Sequence, residues 1–453
     1  MTMPFSNESG NADIEYLSDG MTETLIGSLS QIPELNIKAR SSVFRYKGKD
    51  ASAQTIGKEL GVQAILNGRV VQRGQDLTLY VELVDVQNEN SLWKQTYNRA
   101  MTNLLTLQTE VARDVAGKLK VKLSGADEQR MARNRTGNSE AYEAYLKGRY
   151  FIEKPTEEGY KNALEYFQKA VESDPSYALP YVGIADAYIN AADWYLSVND
   201  SMPKAKAAAL KALEMDDSLA EAYSTMMYVS LFYDWDWPEV ERLYKRTVEL
   251  NPNYGWGHNG YGVYLEIMGR SSESIAHAQQ VLQIDPLSIE ANRTLGDAYF
   301  FAREYDQAIE HYRKTVSLDP NYWWPHLSLG QAYLHAGRFD EAIAEMEKAR
   351  SLDNSPLILS QLGAAYALAG KKSRAREMLE ELKTLSGKGY VSPEFFALIH
   401  ANLGDRDAAF EWLERGFADR SIGLLFLKVG PGWDGLRSDT RFQAMMRRVG
   451  LPQ

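Results

Sequence analysis

The chain contains no cysteine. That removes disulfides, thiol nucleophiles and cysteine metal sites, and it fits a cytoplasm or a periplasm alike. Histidine is scarce: His258, His277, His311, His326, His335 and His400 are all there are, and no two stand at i,i+4. A zinc-binding helix face therefore has no ligand pair to start from. No Walker A, HExxH or GxSxG sequence occurs. No apolar run approaches the roughly 18 residues of a membrane span, and no basic-then-apolar leader precedes the first structured segment. Positive charge is also short, with 50 Lys and Arg against 61 Asp and Glu, a net charge of −11. Residues 1–125 hold the two signs in equal number, so the rest of the chain carries the excess. An acidic array repels phosphates instead of displacing their counterions, which argues against nucleic acid or an anionic membrane as a partner of this region.

What is present is a period. Gly262, Gly296, Gly330 and Gly363 are spaced by 34, 34 and 33 residues, and Tyr299, Tyr333 and Tyr366 follow three of them at a fixed offset of three. Asn251-Pro252, Asp285-Pro286 and Asp319-Pro320 close successive units, 34 apart. A 34-residue unit with small, aromatic and proline positions in this order is the tetratricopeptide signature. The glycine fits where a second helix crosses the first too closely for a side chain, and Ala308 and Ala342 take the matching place on the second helix. The proline ends the unit because it cannot continue a helix. One hairpin cannot bury its own apolar face, so the units must stack into a solenoid. Eight helical hairpins are expected, at 140–175, 178–217, 220–252, 255–288, 289–322, 323–355, 356–389 and 391–418, winding as a right-handed superhelix. The first two carry insertions around Lys154 and around Leu196–Met202. Residues 419–453 leave the pattern and are expected to cap the last apolar face.

The first 123 residues lack the period. A helix is expected at 15–31, with Leu17, Met21, Leu25 and Leu29 on one face. A short strand is expected at 35–40 and a second helix from Ser52 to Leu60. Strand-like runs follow at Ala64–Val71, Leu77–Val84 and Ser91–Tyr97, the first two joined by a turn at Arg73-Gly74-Gln75-Asp76. A last helix is expected at 102–123. Met3-Pro4-Phe5 reads as the end of a core strand whose start is missing. The whole is mainly α: a small α+β domain at 1–123, a polar linker at 124–139, and the repeat array at 140–418.

Particular residues of this domain resemble a known family. Met3-Pro4-Phe5-Ser6-Asn7, Tyr16-Leu17-Ser18-Asp19-Gly20-Met21-Thr22-Glu23, Arg40-Ser41-Ser42, Ile56-Gly57-Lys58-Glu59-Leu60-Gly61-Val62, Leu66-Asn67-Gly68 and Leu92-Trp93 with Tyr97 are similar to the TolB-amino-terminal-like (FlgO-like) domain. Asp234-Trp235-Asp236-Trp237, Leu250-Asn251-Pro252-Asn253-Tyr254, residues 282–288, Leu436-Arg437-Ser438-Asp439 and Arg441-Phe442 resemble the repeats that follow it. The resemblance implies the C-terminal half of a bacterial signalling protein, whose N-terminal half is a winged-helix regulator, a class III adenylate cyclase or a serine/threonine kinase, often with a membrane span between. Neither an effector domain nor a span is found in this sequence.

No catalytic constellation stands out. Gly255-x-Gly257-x-x-Gly260 matches a dinucleotide fingerprint in letters, but it opens a repeat helix and no strand precedes it, so the mechanism is missing. The histidines read as packing or groove residues, His258 and His326 at the fourth place of their units. Glu377, Glu380 and Glu381 read as a solvated helix face. Tryptophan is more telling: Trp194, Trp235, Trp237, Trp256, Trp323 and Trp324 fall within residues 178–355. The places that line the inner surface of such repeats hold Tyr228, Phe232, Trp256, Asn259, Arg293, Asp297, Phe300, Trp324, Gln331 and His335. Aromatic anchors beside hydrogen-bonding groups are how a groove gains binding energy. The Lys and Asn set that clamps a C-terminal carboxylate in some repeats is not at these places.

The expected function is a non-catalytic interaction module that binds a protein or peptide segment in this groove, with no cofactor and no metal. The alternative is the sensor or regulatory half of a regulator, cyclase or kinase. A third reading is a hydrolase using Asp13, Glu15, Asp19 and Glu23, although a helix N-terminus favours acidic residues anyway and no nucleophile–base–orienter set is visible. A cytoplasmic location is expected, or a periplasmic one if the chain belongs to a membrane-anchored regulator.

Overall fold

The computed structural model describes residues 1–11, 14–30, 32, 35–49, 51–119, 136–154, 156–284 and 286–452. Asp13, Asp285 and the greater part of the expected linker lie outside the described residues.

The N-terminal domain is a four-stranded sheet covered by helices. β1 (Ser6–Asn7) runs parallel to β2 (Ala64–Arg73), and β3 (Asp76–Asp85) and β4 (Ser91–Ala100) continue it antiparallel, in the order β1-β2-β3-β4. Arg73 pairs with Asp76, which leaves a two-residue turn whose Gly74 sits at φ +61°, a conformation that tight hairpins require of their loop residues. Residues before β1 stay against the same neighbour, with Thr2 bridged to Leu66. α1 (Glu15–Ser30) buries Leu17, Met21, Leu25 and Leu29 as its periodicity requires. α2 (Arg40–Phe44), α3 (Ala53–Leu60) and α4 (Leu104–Lys118) complete the domain. The side chain of Ser52 caps α3 by accepting from the N–H of Thr55.

The short strand expected at 35–40 does not form. Residues 35–39 run without a partner strand, and α2 starts at Arg40. The alternation is real, because Leu35 and Ile37 are buried, but it marks a chain lying on the core and not one joined to a ladder.

Eight helical hairpins follow among the described residues. They begin with Ser139–Ile152 and Glu157–Ser173 and end with Pro393–Leu403 and Arg406–Asp419. The first helices of successive hairpins lie side by side and face inward. Gly330 shows why the repeat needs its small residue. A Cβ there would stand 2.6 Å from Met346 Cγ and 3.0 Å from the carbonyl oxygen of Ala342, on the second helix of its own hairpin. In the third hairpin the first helix ends in a π turn, Ser230–Asp234, after which Trp235 takes a left-handed φ of 57°.

Two features exceed the sequence reading. The apolar core does not stop at the end of the N-terminal domain: Leu17, Met21, Leu25, Leu79 and Val111 pack in one cluster with Tyr142, Leu146 and Phe167 of the first hairpin. The C-terminal segment does more than cover the eighth hairpin. Trp433, Leu436, Phe442 and Met445 join a core that includes Met202, Met227, Leu243 and Leu265 from the second to fourth hairpins. Trp237 Nε1 donates to the carbonyl of Gly450 at 2.8 Å, Lys428 Nζ to that of Met268 at 3.1 Å, and Arg303 pairs with Asp434 at 2.9 Å. The solenoid is thus bridged from within by its own chain. No helix among the described residues is long and apolar enough to cross a membrane.

Candidate functional site

Two cavities open on the inner wall. The larger, about 620 Å³, lies between the N-terminal domain and the first to fifth hairpins. Its wall mixes Tyr145, Tyr177, Tyr254 and Trp256 with charged groups: Glu23, Glu153, Asp186, Glu221 and Glu290 against Lys38, Arg40 and Arg149. Arg149 donates to Glu23 at 2.9 Å through Nε, and Arg40 pairs with Glu153 at 3.1 Å, so these charges also tie the domain to the array. Burial pushes the Asp186 carboxyl up to about 6, against the pull of Arg149 and the hydroxyl of Thr225.

The smaller cavity, about 270 Å³, is closed by the C-terminal segment. Trp194, Trp324, Trp433, Phe300 and Phe301 form apolar walls, and Asp193, Asp297, Gln331, His335, Gln361 and Glu394 supply polar groups. The rings of Trp194 and Trp324 stand 5.5 Å apart. Burial, with the charge of Arg303 adding to it, lowers the His335 imidazole to about 4, so the ring is neutral near pH 7.

The residues singled out from the repeat register do not form one continuous wall. Trp256 and Asn259 line the large cavity. Asp297, Phe300, Trp324, Gln331 and His335 come together on the small one. Tyr228 and Arg293 reach the next hairpin, and Phe232 packs against Tyr228 within the third. Tyr228 is buried, its hydroxyl lies 3.2 Å from the Trp256 carbonyl and 3.3 Å from Asn259 Oδ1, and its ring is 5.5 Å from that of Phe232. Arg293 pairs with Asp297 and Glu290, and its guanidinium lies 5.6 Å from the Trp324 ring. Phe300 is buried against Phe301 and His335. Trp256 remains 36% exposed.

Sequence reasoning passed over Asp193, Glu394 and Trp433. A signal existed for two of them. Asp193 sits at the start of the inserted stretch in the second hairpin, and Trp433 follows the helix-incompatible run Gly430-Pro431-Gly432. Glu394, in the first turn of a repeat helix, is indistinguishable in sequence from an ordinary N-terminal acid.

The carboxylates considered for hydrolysis are engaged elsewhere. Glu15 and Asp19 both pair with Lys47 at 2.5 Å, and Glu23 is held by Arg149. Asp13 lies outside the described residues. Among the described residues no group of three metal-ligating side chains is assembled. The Gly255–Gly260 run is the opening of helix Gly255–Ile267 and carries no phosphate-binding strand–turn–helix.

Comparison with known proteins divides along the same line as the fold. Residues 302–360 match the tetratricopeptide repeat family. Residues 2–114 match the second domain of HilA/YgeH-like transcriptional regulators, in place of the TolB-amino-terminal-like family that its motifs resemble. Putative adenylate cyclase 3 of Rhizobium meliloti (strain 1021) is 29% identical over 229 residues, 49% of this chain and 38% of that protein. Superkiller protein 3 of Schizosaccharomyces pombe is 28% identical over 178 residues, 38% of this chain and 12% of that protein. The matched regions therefore span less than half the length of these relatives. Among solved structures, the APC/C hetero-tetramer Cut9–Hcn1 aligns over 77% of this chain and 76% of that one, with a TM-score of 0.47 and 17% identity. YrrB, a tetratricopeptide-repeat protein with an unusual peptide-binding site, covers 43% of this chain at a TM-score of 0.29 and 21% identity. By its own geometry and by the match at 302–360, the chain is a small α+β domain followed by a tetratricopeptide-repeat solenoid.

Proposed function

We propose that this chain is a non-catalytic interaction module that takes an extended segment of a partner protein at the mouth of the large cavity. The observation that carries the reading is Trp256: a tryptophan 36% exposed on the inner wall, beside the amide of Asn259. An indole held rigidly by packing on one face and open on the other is the type of anchor that dominates interface energies. The five acids of this cavity outnumber its three cations, Lys38, Arg40 and Arg149, which favours a partner segment carrying Lys or Arg. The test is a photo-crosslinking residue at Asn253, which lines the same cavity and leaves Trp256 in place, in cells of the source organism, followed by binding measurements on the captured partner. Trp256→Ala should weaken that binding at least tenfold with an unchanged melting temperature. Capture that is equally efficient from an outer-surface position such as Glu380 counts against the reading.

A second reading places the chain as the sensor half of a regulator. Two observations favour it: the match of residues 2–114 to a transcriptional regulator's second domain and the partial match to a putative adenylate cyclase. One match is to a transcriptional regulator's domain and the other to a putative adenylate cyclase, as an input module shared between different effectors would produce. A reading frame continuing upstream of residue 1 into an effector domain supports it, and an upstream stop codon opposes it.

A further inference from the structure

Glu394 differs from the other acids of the inner wall. Asp193 accepts from the hydroxyl of Tyr390 at 2.9 Å and from the N–H of Ile422 at 2.7 Å. Asp297 is paired with Arg293 and accepts from the hydroxyl of Tyr312. Glu394 has no hydrogen-bond donor and no cation on its carboxylate among the described residues, and the charge of Asp193 faces it. The placement is built into the fold. The carboxylate lies over Gly423, where any Cβ would overlap it, so the C-terminal segment passes with its backbone bare at that point. Around it stand Trp194, Trp324 and Trp433. Of the other titratable groups on this cavity, Tyr312 already donates to Asp297, and His335 is uncharged near pH 7. The cavity thus holds a carboxyl with no compensating cation inside aromatic walls.

We infer that this cavity is a binding site for a small organic ammonium ion, with Glu394 as its counter-ion and Trp194, Trp324 and Trp433 as its walls. Both halves of the site select the same chemistry. Aromatic faces attract cations, and more strongly where water is displaced. A carboxylate taken from water without a donor or cation is costly, and an ammonium group restores both the charge and the hydrogen bonds. At about 270 Å³ the space takes a compact molecule and not a folded partner. Such a ligand would touch the second, fifth to eighth hairpins and the C-terminal segment together, so it would be read by the closure of the whole array. This goes beyond the partner reading, because it needs no second protein and no contact at Trp256.

The test uses the full chain, with tryptophan fluorescence and thermal unfolding as readouts. Benzylamine, putrescine and choline are the cationic probes, and benzyl alcohol and benzoate are the neutral and anionic controls. At least one cation should give a saturable fluorescence change and raise the melting temperature as free ligand exceeds its Kd. The controls should give neither. Glu394→Gln should weaken the cation at least tenfold. If that variant fails to fold, the wild-type titration at several pH values decides. Binding that displaces the Glu394 proton strengthens by roughly tenfold per pH unit in the acid range, where that carboxyl is protonated. No saturable response to any of the three cations, a response that survives in folded Glu394→Gln, equal binding of benzyl alcohol, or pH-independent binding would each overturn the assignment.

Discussion

The carboxylate of Asp193 accepts the main-chain N–H of Ile422 at 2.7 Å, across 229 residues of sequence. Asp193 itself is held in the left-handed region, φ 63°, with its N–H on the carbonyl of Leu196. The insertion in the second hairpin therefore opens with an acceptor aimed at the returning C-terminal segment. Asp193→Ala leaves the donors of Ile422 and Tyr390 without their acceptor, a cost of about 1–3 kcal/mol for each that stays dry. The expected outcome is a lower melting temperature and faster hydrogen exchange over residues 420–437, with the first hairpin unaffected. Unchanged exchange in that segment would show that the closure is held elsewhere.

The buried acids set a pH dependence with a definite sign. Burial raises Glu394 from 4.5 to about 8, with the charge of Asp193 adding to it. Burial likewise raises Asp193 and Asp186 from 3.8 to about 6, against their hydrogen-bond donors. A raised carboxyl binds protons in the native state that the unfolded chain has already released. Its contribution is therefore fully present below the unfolded value and lost as pH rises through the folded one. Stability should fall from about pH 4 to 6 through the two aspartates and continue to fall toward pH 8 through Glu394. Glu394→Gln should flatten the limb between about 6 and 8. Urea unfolding at pH 5 to 9 checks this, and an identical slope in both proteins would mean that Glu394 is ionised in the native state.

The repeat was legible because its spacing is a local, recurring constraint. The same spacing hid one of its own interactions. His258, Asn292 and His326, each 34 apart, all bond the carbonyl six residues back, that of Pro252, Pro286 and Pro320, at 2.8, 3.0 and 3.0 Å. The carbonyl only accepts, so each ring uses Nε2–H as donor. In sequence these histidines read as packing residues, since the acceptor exists only once the proline turn has folded. The two cavities were illegible for a stronger reason. The larger is bounded where Arg149 meets Glu23 and the smaller where Asp193 meets Ile422, contacts which no periodicity encodes.

Close helix approach differs between repeats, which makes the glycines unequal. At Gly330 an added Cβ meets Met346 Cγ at 2.6 Å and a backbone oxygen at 3.0 Å. At Gly262 the nearest atom is Thr294 Cγ2 at 3.3 Å, in the following hairpin. Gly330→Leu should lose about 1–3 kcal/mol by overpacking. Gly262→Ala should be neutral or stabilising, because alanine recovers about 1 kcal/mol of helix propensity against a small side-chain displacement. Equal losses at both positions in chemical denaturation would contradict this ranking.

The shared core at Leu146 predicts how the two parts unfold. Leu146 is fully buried in the cluster that also contains Leu17, Met21 and Leu25, and its Cδ2 stands 2.9 Å from where a Cβ on Gly20 would be. Leu146→Ala should cost about 2–5 kcal/mol. It should also lower the unfolding of the N-terminal sheet, although Leu146 belongs to the first repeat. Near-ultraviolet dichroism with hydrogen exchange in β2 and β3 is the measurement. Loss of protection in the first hairpin alone would mean that the domains fold independently.

The rings of Tyr228 and Trp256 lie 4.9 Å apart, tilted by 34°, yet the two residues should behave as opposites. Tyr228 is 3% exposed and its hydroxyl is engaged by Trp256 and Asn259, so Tyr228→Ala removes a core side chain and should lower the melting temperature by several degrees. The cost is about 3–5 kcal/mol, as for other buried aromatics. Trp256 packs against Tyr228 and is still 36% exposed. Trp256→Ala should change stability little while weakening the captured partner by about 2 kcal/mol or more, the loss expected of an interface anchor. Tyr228→Phe separates the two effects further: it keeps the ring stack and removes only the hydroxyl contacts, so it should bind the partner normally and lose about 1 kcal/mol of stability. If Trp256→Ala instead melts with Tyr228→Ala and retains the partner, the indole is part of the core and the partner segment docks on another face.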